Sequence, residues 1–215
     1  MDAAAQTLAP DLDGQVRAAD LDRWLSSRFV ADERARADLI ALYAFEAELM
    51  AIPTRVTQPM LAEMRYVWWR DQLDGVFAGV PRKGHPVLEA LTDVVARRAL
   101  ERSSLEALIE AHIGRVHGEP HDLDAFYVGP MQAAVHLLAG PGHAAKVVEA
   151  GRVRGLLQVG RLDEAHALRG AANRALSCLP TVAFPAVLPS ALRDPNASEA
   201  RKRLRLTFAS LTGRL

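Results

Sequence analysis

A chain of 215 residues, with 50% hydrophobic and 24% charged side chains, has the composition of a globular protein and the length for one domain with a real core. Lys+Arg and Asp+Glu balance at 26 each, which gives a general nucleic-acid-binding role no support. The single cysteine, Cys178, excludes an intrachain disulfide and a cysteine-based zinc site, and makes the cytoplasm the natural compartment.

Residues 1–17 lack periodicity and carry Asp2, Asp11 and Asp13 without an apolar run. They read as a flexible leader rather than a signal peptide, with 18–215 as one helical domain. No apolar run approaches the length of about 18 residues that a membrane-spanning helix needs. Helical spacing dominates from there on. A first helix is expected over Asp20–Phe29. A second runs over Glu33–Ile52, with Asp32 as N-cap and Pro53 as its stop. Pro59 opens a long helix that carries Leu61, Met64, Trp68, Trp69, Leu73 and Val76 and ends at Gly79. Pro86 opens the next one.

Ser103-x-x-Glu106 has the form of a capping box for a helix with the stripe Leu105, Leu108, Ile109, Ile113, Val116. Asp122 or Asp124 begins a helix through Leu138, which Gly129-Pro130 should kink or interrupt. Helices over 144–159 and 163–179 follow. The four prolines within 180–195 read as an extended connector, and Asn196-x-x-Glu199 as the cap of a last helix bearing Leu204, Phe208 and Leu211. The expected fold is an all-α, single-domain bundle of eight or nine helices. Helices 33–52, 59–78 and 144–159 are expected to share a common centre.

Chemistry-bearing groups are sparse. Glu46 lies three residues after Tyr43 and four after Leu42, so it faces inward; a buried acid paired with an arginine is the simple reading, and a metal ligand the sharper one. Glu46 and Glu48 diverge by roughly 200° around a helix and cannot share a metal clamp. Arg65 and Arg70 are expected to pair with Glu63, Asp71 or Asp74. His112 sits in an apolar stripe and reads as a hydrogen-bonded core histidine; with His117 and His121 it does not make one metal-binding face. Arg201, Lys202, Arg203 and Arg205 precede Leu206 and Phe208 in a basic-amphipathic pattern. That pattern could touch anionic lipid or an acidic protein at the membrane periphery, or simply be a solvated face.

The words Leu42-Tyr43-Ala44-Phe45, Trp68-Trp69-Arg70-Asp71, His85-Pro86-Val87 and Gly151-Arg152-Val153-Arg154-Gly155 resemble the squalene/phytoene synthase family. The resemblance implies an isoprenoid synthase bundle, shortened near its C-terminal part by a deletion at the substrate mouth. It also implies two acidic motifs that hold magnesium for head-to-head condensation of farnesyl or geranylgeranyl diphosphate. Aligned on that pattern, Met50 and Thr54 occupy the first acidic positions and Leu162 begins the second. The resemblance therefore implies a degenerate, non-catalytic protein with no magnesium or other cofactor, acting through an apolar lipid or a partner protein. An active prenyltransferase using magnesium is the alternative. A retained apolar slot would be lined by Leu42, Phe45, Leu49, Trp68, Trp69, Gly151 and Gly155. The competing expectation is that neighbouring helices collapsed into it. The segments Ala44-Phe45-Glu46-Ala47-Glu48-Leu49, Met64-Arg65 before Trp69, and Ala183-Phe184-Pro185-Ala186 resemble a divergent branch that includes a complex I assembly factor, which implies a role in respiratory complex assembly.

Overall fold

Aspartates start the first helices by capping free backbone amides. Asp20 accepts from the Arg23 amide at 3.0 Å and opens α2 (Leu21–Ser27); Asp32 accepts from Ala35 at 2.6 Å and opens α3 (Glu33–Arg55). A computed structural model describes residues 11–215, and they form eleven α-helices and no β-strand. Ahead of α2 lies α1 (Leu12–Ala19). Residues 1–10 of the expected leader fall outside the described part, while residues 12–17 are helical, contrary to that expectation. The reason is tertiary: Val16 is buried against α3, and Asp13 accepts from the Trp24 indole at 2.7 Å.

α4 (Pro59–Phe77) and α5 (Pro86–Arg98) both begin on proline, whose missing N–H costs nothing in a first turn. α6 (Arg102–Val116) departs from the expected capping box: Glu101 is the N-cap and makes no capping bond, and Glu106 instead takes Arg102 at 2.7 Å. Asp122 caps the next segment by accepting from Asp124 and Ala125. That segment is a π-helical turn, Asp124–Val128, running straight into α7 (Gly129–Ala139). The interruption expected at Gly129-Pro130 thus takes the form of a wider turn.

A 3₁₀ turn, Ala144–Val147, leads into α8 (Val148–Gln158), followed by α9 (Leu162–Leu176). The expected extended connector is instead a run of short helical turns, Thr181–Ala183, α10 (Phe184–Val187) and Leu188–Ala191. Its apolar side chains are buried, and the Ser190 hydroxyl donates to the Ala150 carbonyl at 2.7 Å. Proline at a first turn is helix-compatible, so the prolines mark successive turn starts rather than extension. The last helix, α11 (Glu199–Thr212), has Ser198 as N-cap; Asn196 lies in a turn closed by Asp194.

The core is continuous. Phe45, Leu49, Tyr66, Leu73, Leu88, Leu91 and Ile109 are fully enclosed, and each such side chain contributes roughly 1.5–3 kcal/mol. Asp38 of α3 is 1% exposed and is held by both Arg97 and Arg98, which fastens α5 to α3. α3 touches α4 as expected, but the chief neighbours of α8 are α9 and the π turn. Residues of α3, α4 and α8 belong to the one core, and a charged cleft lies between α3 and α8. No helix among the described residues is long and apolar enough to cross a membrane.

Candidate functional site

The cleft between α2, α3, α6, the π turn and α8 encloses about 370 Å³ and gathers most of the buried charge. Six groups build its polar side. Asp20 and Asp22 come from the start of α2, with Arg23 one residue later. Glu46 points in from the middle of α3, Arg154 from α8 and Lys202 from α11.

Arg154 Nη1 lies 2.8 Å from Asp22 Oδ2, and Lys202 Nζ lies 2.7 Å from Asp22 Oδ1. Arg154 also reaches Asp20 at 3.6 Å. With its amide oriented toward the guanidinium, the Gln158 oxygen accepts from both Arg154 Nη atoms at 2.8 and 2.9 Å. Arg23 grips Glu46 directly and stacks over Tyr43 at 5.0 Å. Three cations face three carboxylates in this set, so their formal charges cancel. Burial alone would lower Arg23, but Glu46 and Asp20 outweigh it and hold its proton more tightly than in water. Burial pushes the Glu46 carboxyl up, against the pull of Arg23, and pushes Tyr43 up as well.

On the other side stand aromatic groups. His112 is stacked on Tyr66 at 5.0 Å and meets the Phe126 edge at 4.8 Å; His121 stacks on Phe126 at 4.5 Å. Tyr66 Oη donates to the Leu49 carbonyl at 3.3 Å and lies 3.3 Å from His112 Nδ1. Tyrosine has one hydroxyl proton, so His112 Nδ1 must carry the proton that completes this chain. His112 Nε2 is then a bare lone pair, buried and without a partner in the cleft; Glu46 Oε1 is a second such acceptor. Burial, then the charge of His121, lowers His112 to about 4, so it is neutral at physiological pH. Glu46 matches the simple reading of a buried acid on an arginine, and His112 that of a hydrogen-bonded core histidine.

Magnesium does not fit this cleft. Of the three residues that the resemblance sets at the acidic positions, Met50 lines the cleft, Thr54 is exposed and bonds back to Ala51 at 2.8 Å, and Leu162 is exposed. The carboxylates that are present are committed to arginine and lysine, and no group of three or more His, Cys, Asp or Glu side chains among the described residues could hold a metal ion.

The seven residues expected to line an apolar slot do not share one. Leu42, Phe45 and Leu49 are packed into the core. Phe45 meets the edge of Trp69 at 5.5 Å, and Trp69 meets Trp68 at 5.2 Å, so these three do come together. Trp68 and Trp69 line a different, larger groove of about 820 Å³ on the outer face of α3 and α4. Gly151 and Gly155 sit elsewhere, pressed against the π turn: a Cβ on Gly151 would lie 2.8 Å from Val128 Cα, and one on Gly155 would lie 2.7 Å from the Tyr127 ring. The space beside them is taken up by contact with the π turn.

The polar half of the cleft was missed from sequence. Asp22 and Arg154 are 132 residues apart and carry no local signal of their pairing. Lys202 turns inward to Asp22, Arg203 pairs with Glu199, and Arg205 donates to the Ala191 carbonyl, so the basic run does not present four free cations. Arg70 takes Glu110 at 2.9 Å and Asp74 takes Arg102, not the neighbours expected within α4.

Comparison with known proteins adds one match: the squalene/phytoene synthase family model covers residues 16–127. No curated protein and no solved structure matches. That span takes in the second half of α1, α2 through α6 and most of the π turn, hence the α3 face, the His112 face and the start of the cleft. On that match and on the helical architecture that agrees with it, the chain belongs to the squalene/phytoene synthase family and has the isoprenoid synthase type of all-α fold.

Proposed function

We propose that this protein is a non-catalytic member of its family, which binds an apolar lipid through the charged interior cleft and turns over no prenyl diphosphate. The observation that carries this reading is the charge balance of the cleft: Asp20, Asp22 and Glu46 are matched by Arg23, Arg154 and Lys202. A divalent cation would have to compete with guanidinium and ammonium groups already in place, and a diphosphate would find its cations already committed. The two open positions, His112 Nε2 and Glu46 Oε1, are both acceptors. They suit a ligand that brings an apolar body and a hydrogen-bond donor, such as a long-chain alcohol. Phe126, Tyr127 and Leu108 supply the apolar wall for it.

Equilibrium dialysis with radiolabelled farnesol and farnesyl diphosphate, each with and without magnesium, tests the reading. The alcohol is expected to bind independently of magnesium and more tightly than the diphosphate. Magnesium-dependent binding of the diphosphate would overturn it. The role in respiratory complex I assembly implied by the resemblance belongs to this non-catalytic reading and is tested by complex I activity in a strain lacking the gene.

A further inference from the structure

The outer groove is distinct from the cleft and differs from it in charge. Arg55, Arg65, Arg82 and Lys83 rim it, and its one carboxylate, Glu48, is already bound by Arg55 at 3.2 Å and by Gln15 at 2.6 Å. Arg65, Arg82 and Lys83 are exposed and, among the described residues, have no carboxylate at ion-pair distance. Arg82 is poised over Trp68, 5.7 Å from the ring centroid. His85 meets Trp69 at 5.2 Å, and its Nδ1 is buried without a partner at the groove wall. Beside these cations the first turns of α4 hold apolar side chains out in solvent: Met60 is 72% exposed, Met64 61% and Leu61 45%. Exposed Met and Leu are costly in water unless something covers them; Arg65, Arg82 and Lys83 flank them on the groove side, and Glu63 and Asp71 on the other.

We propose that this groove and the N-terminal turns of α4 form a docking surface for an anionic phospholipid bilayer, with Met60, Leu61 and Met64 entering the interfacial layer and Arg65, Arg82 and Lys83 meeting the headgroups. Charge complementarity selects the anionic lipid, and the exposed apolar turn distinguishes a bilayer from a dissolved anion. Trp68 lines both the groove and the apolar patch beside Met60 and Met64, and an indole is favoured at a bilayer interface. The surface stands independently of whether the interior cleft binds a ligand.

Co-sedimentation of the full chain with phosphatidylcholine vesicles, with and without phosphatidylglycerol, is the test. Binding is expected only with the anionic lipid and should weaken as salt rises. Each cation near the surface contributes roughly fivefold to partitioning, so Arg65→Glu with Arg82→Glu should lower it roughly 25-fold or more. Leu61→Ser with Met64→Ser should also weaken binding, while Arg201→Glu on α11 should leave it unchanged. Far-ultraviolet circular dichroism of each variant confirms that it is folded. Equal binding to phosphatidylcholine alone would overturn the proposal, as would loss through Arg201→Glu instead. So would tight binding of polyglutamate at these residues with no vesicle binding, which would make the surface a protein-docking site.

Discussion

The Tyr66 hydroxyl donates to the Leu49 carbonyl, the backbone acceptor that Pro53 leaves without an amide inside α3. Proline normally stops a helix because the carbonyl four residues back loses its donor and is crowded by the ring. Here a side chain from α4 supplies the donor, and α3 continues to Arg55 instead of ending at Ile52 as expected. That extension places Arg55 along the outer groove.

Tyr66→Phe should therefore do more than remove a hydroxyl. It leaves the Leu49 carbonyl and the His112 Nδ1 proton buried without partners, at a cost of about 1–3 kcal/mol. Urea unfolding should show the loss as a lower midpoint with an unchanged slope. An unchanged midpoint would mean that water already serves these groups.

His112 should give stability a pH dependence. Its folded value, about 4, lies below the 6.5 of an unperturbed histidine, so the unfolded chain binds the extra proton between those values. The stabilisation is complete above about pH 6.5 and is lost as pH falls toward 4, by about 3 kcal/mol in all. Glu46 is shifted upward, chiefly by burial, and contributes the opposite slope above its ordinary value. The difference between wild type and His112→Gln isolates the histidine: the variant's stability should depend less on acid across that window. Parallel pH profiles would contradict the assignment of His112 as a buried neutral group.

Asp22 joins three helices, because Arg154 of α8 and Lys202 of α11 both close on its carboxylate at the start of α2. Asp22→Asn leaves two buried cations with reduced counter-charge and should destabilise by about 3–5 kcal/mol. Removing the exposed Arg203–Glu199 pair on the same α11 should leave the melting temperature unchanged. A small effect of Asp22→Asn would show that solvent reaches this network.

The two helix glycines of α8 should differ. At Gly151 an added methyl meets the Val128 backbone, which cannot yield, so Gly151→Ala should cost about 1–3 kcal/mol. At Gly155 it meets the Tyr127 ring and a Leu123 methyl, which can swing aside, so Gly155→Ala should cost less. Thermal denaturation of the two variants ranks them. The reverse order would place the tight contact elsewhere.

What could be read in advance followed from local rules. Asp32 and the prolines at 59 and 86 act through atoms of their own turn, so those helix starts were legible. Pro53 misled because its rescue comes from Tyr66, on another helix. The 180–195 segment misled because four prolines suggest extension, whereas burial of Val187, Leu188 and Ala191 folds it into turns. That Met50, Thr54 and Leu162 are not acidic is plain from residue type. The ion pairs that fill the cleft are not, since Asp22, Arg154 and Lys202 lie on three helices and are matched only by the tertiary fold.

The central claim, that this family member does not perform prenyl condensation, is tested most directly by turnover. The purified protein, shown to melt cooperatively, is incubated with farnesyl or geranylgeranyl diphosphate and magnesium, with a reducing nicotinamide cofactor present, and the organic extract is analysed by mass spectrometry. The charge-matched cleft predicts no product above the no-enzyme control. Squalene, phytoene or their cyclopropyl diphosphate precursor, formed in a magnesium-dependent way, would contradict it.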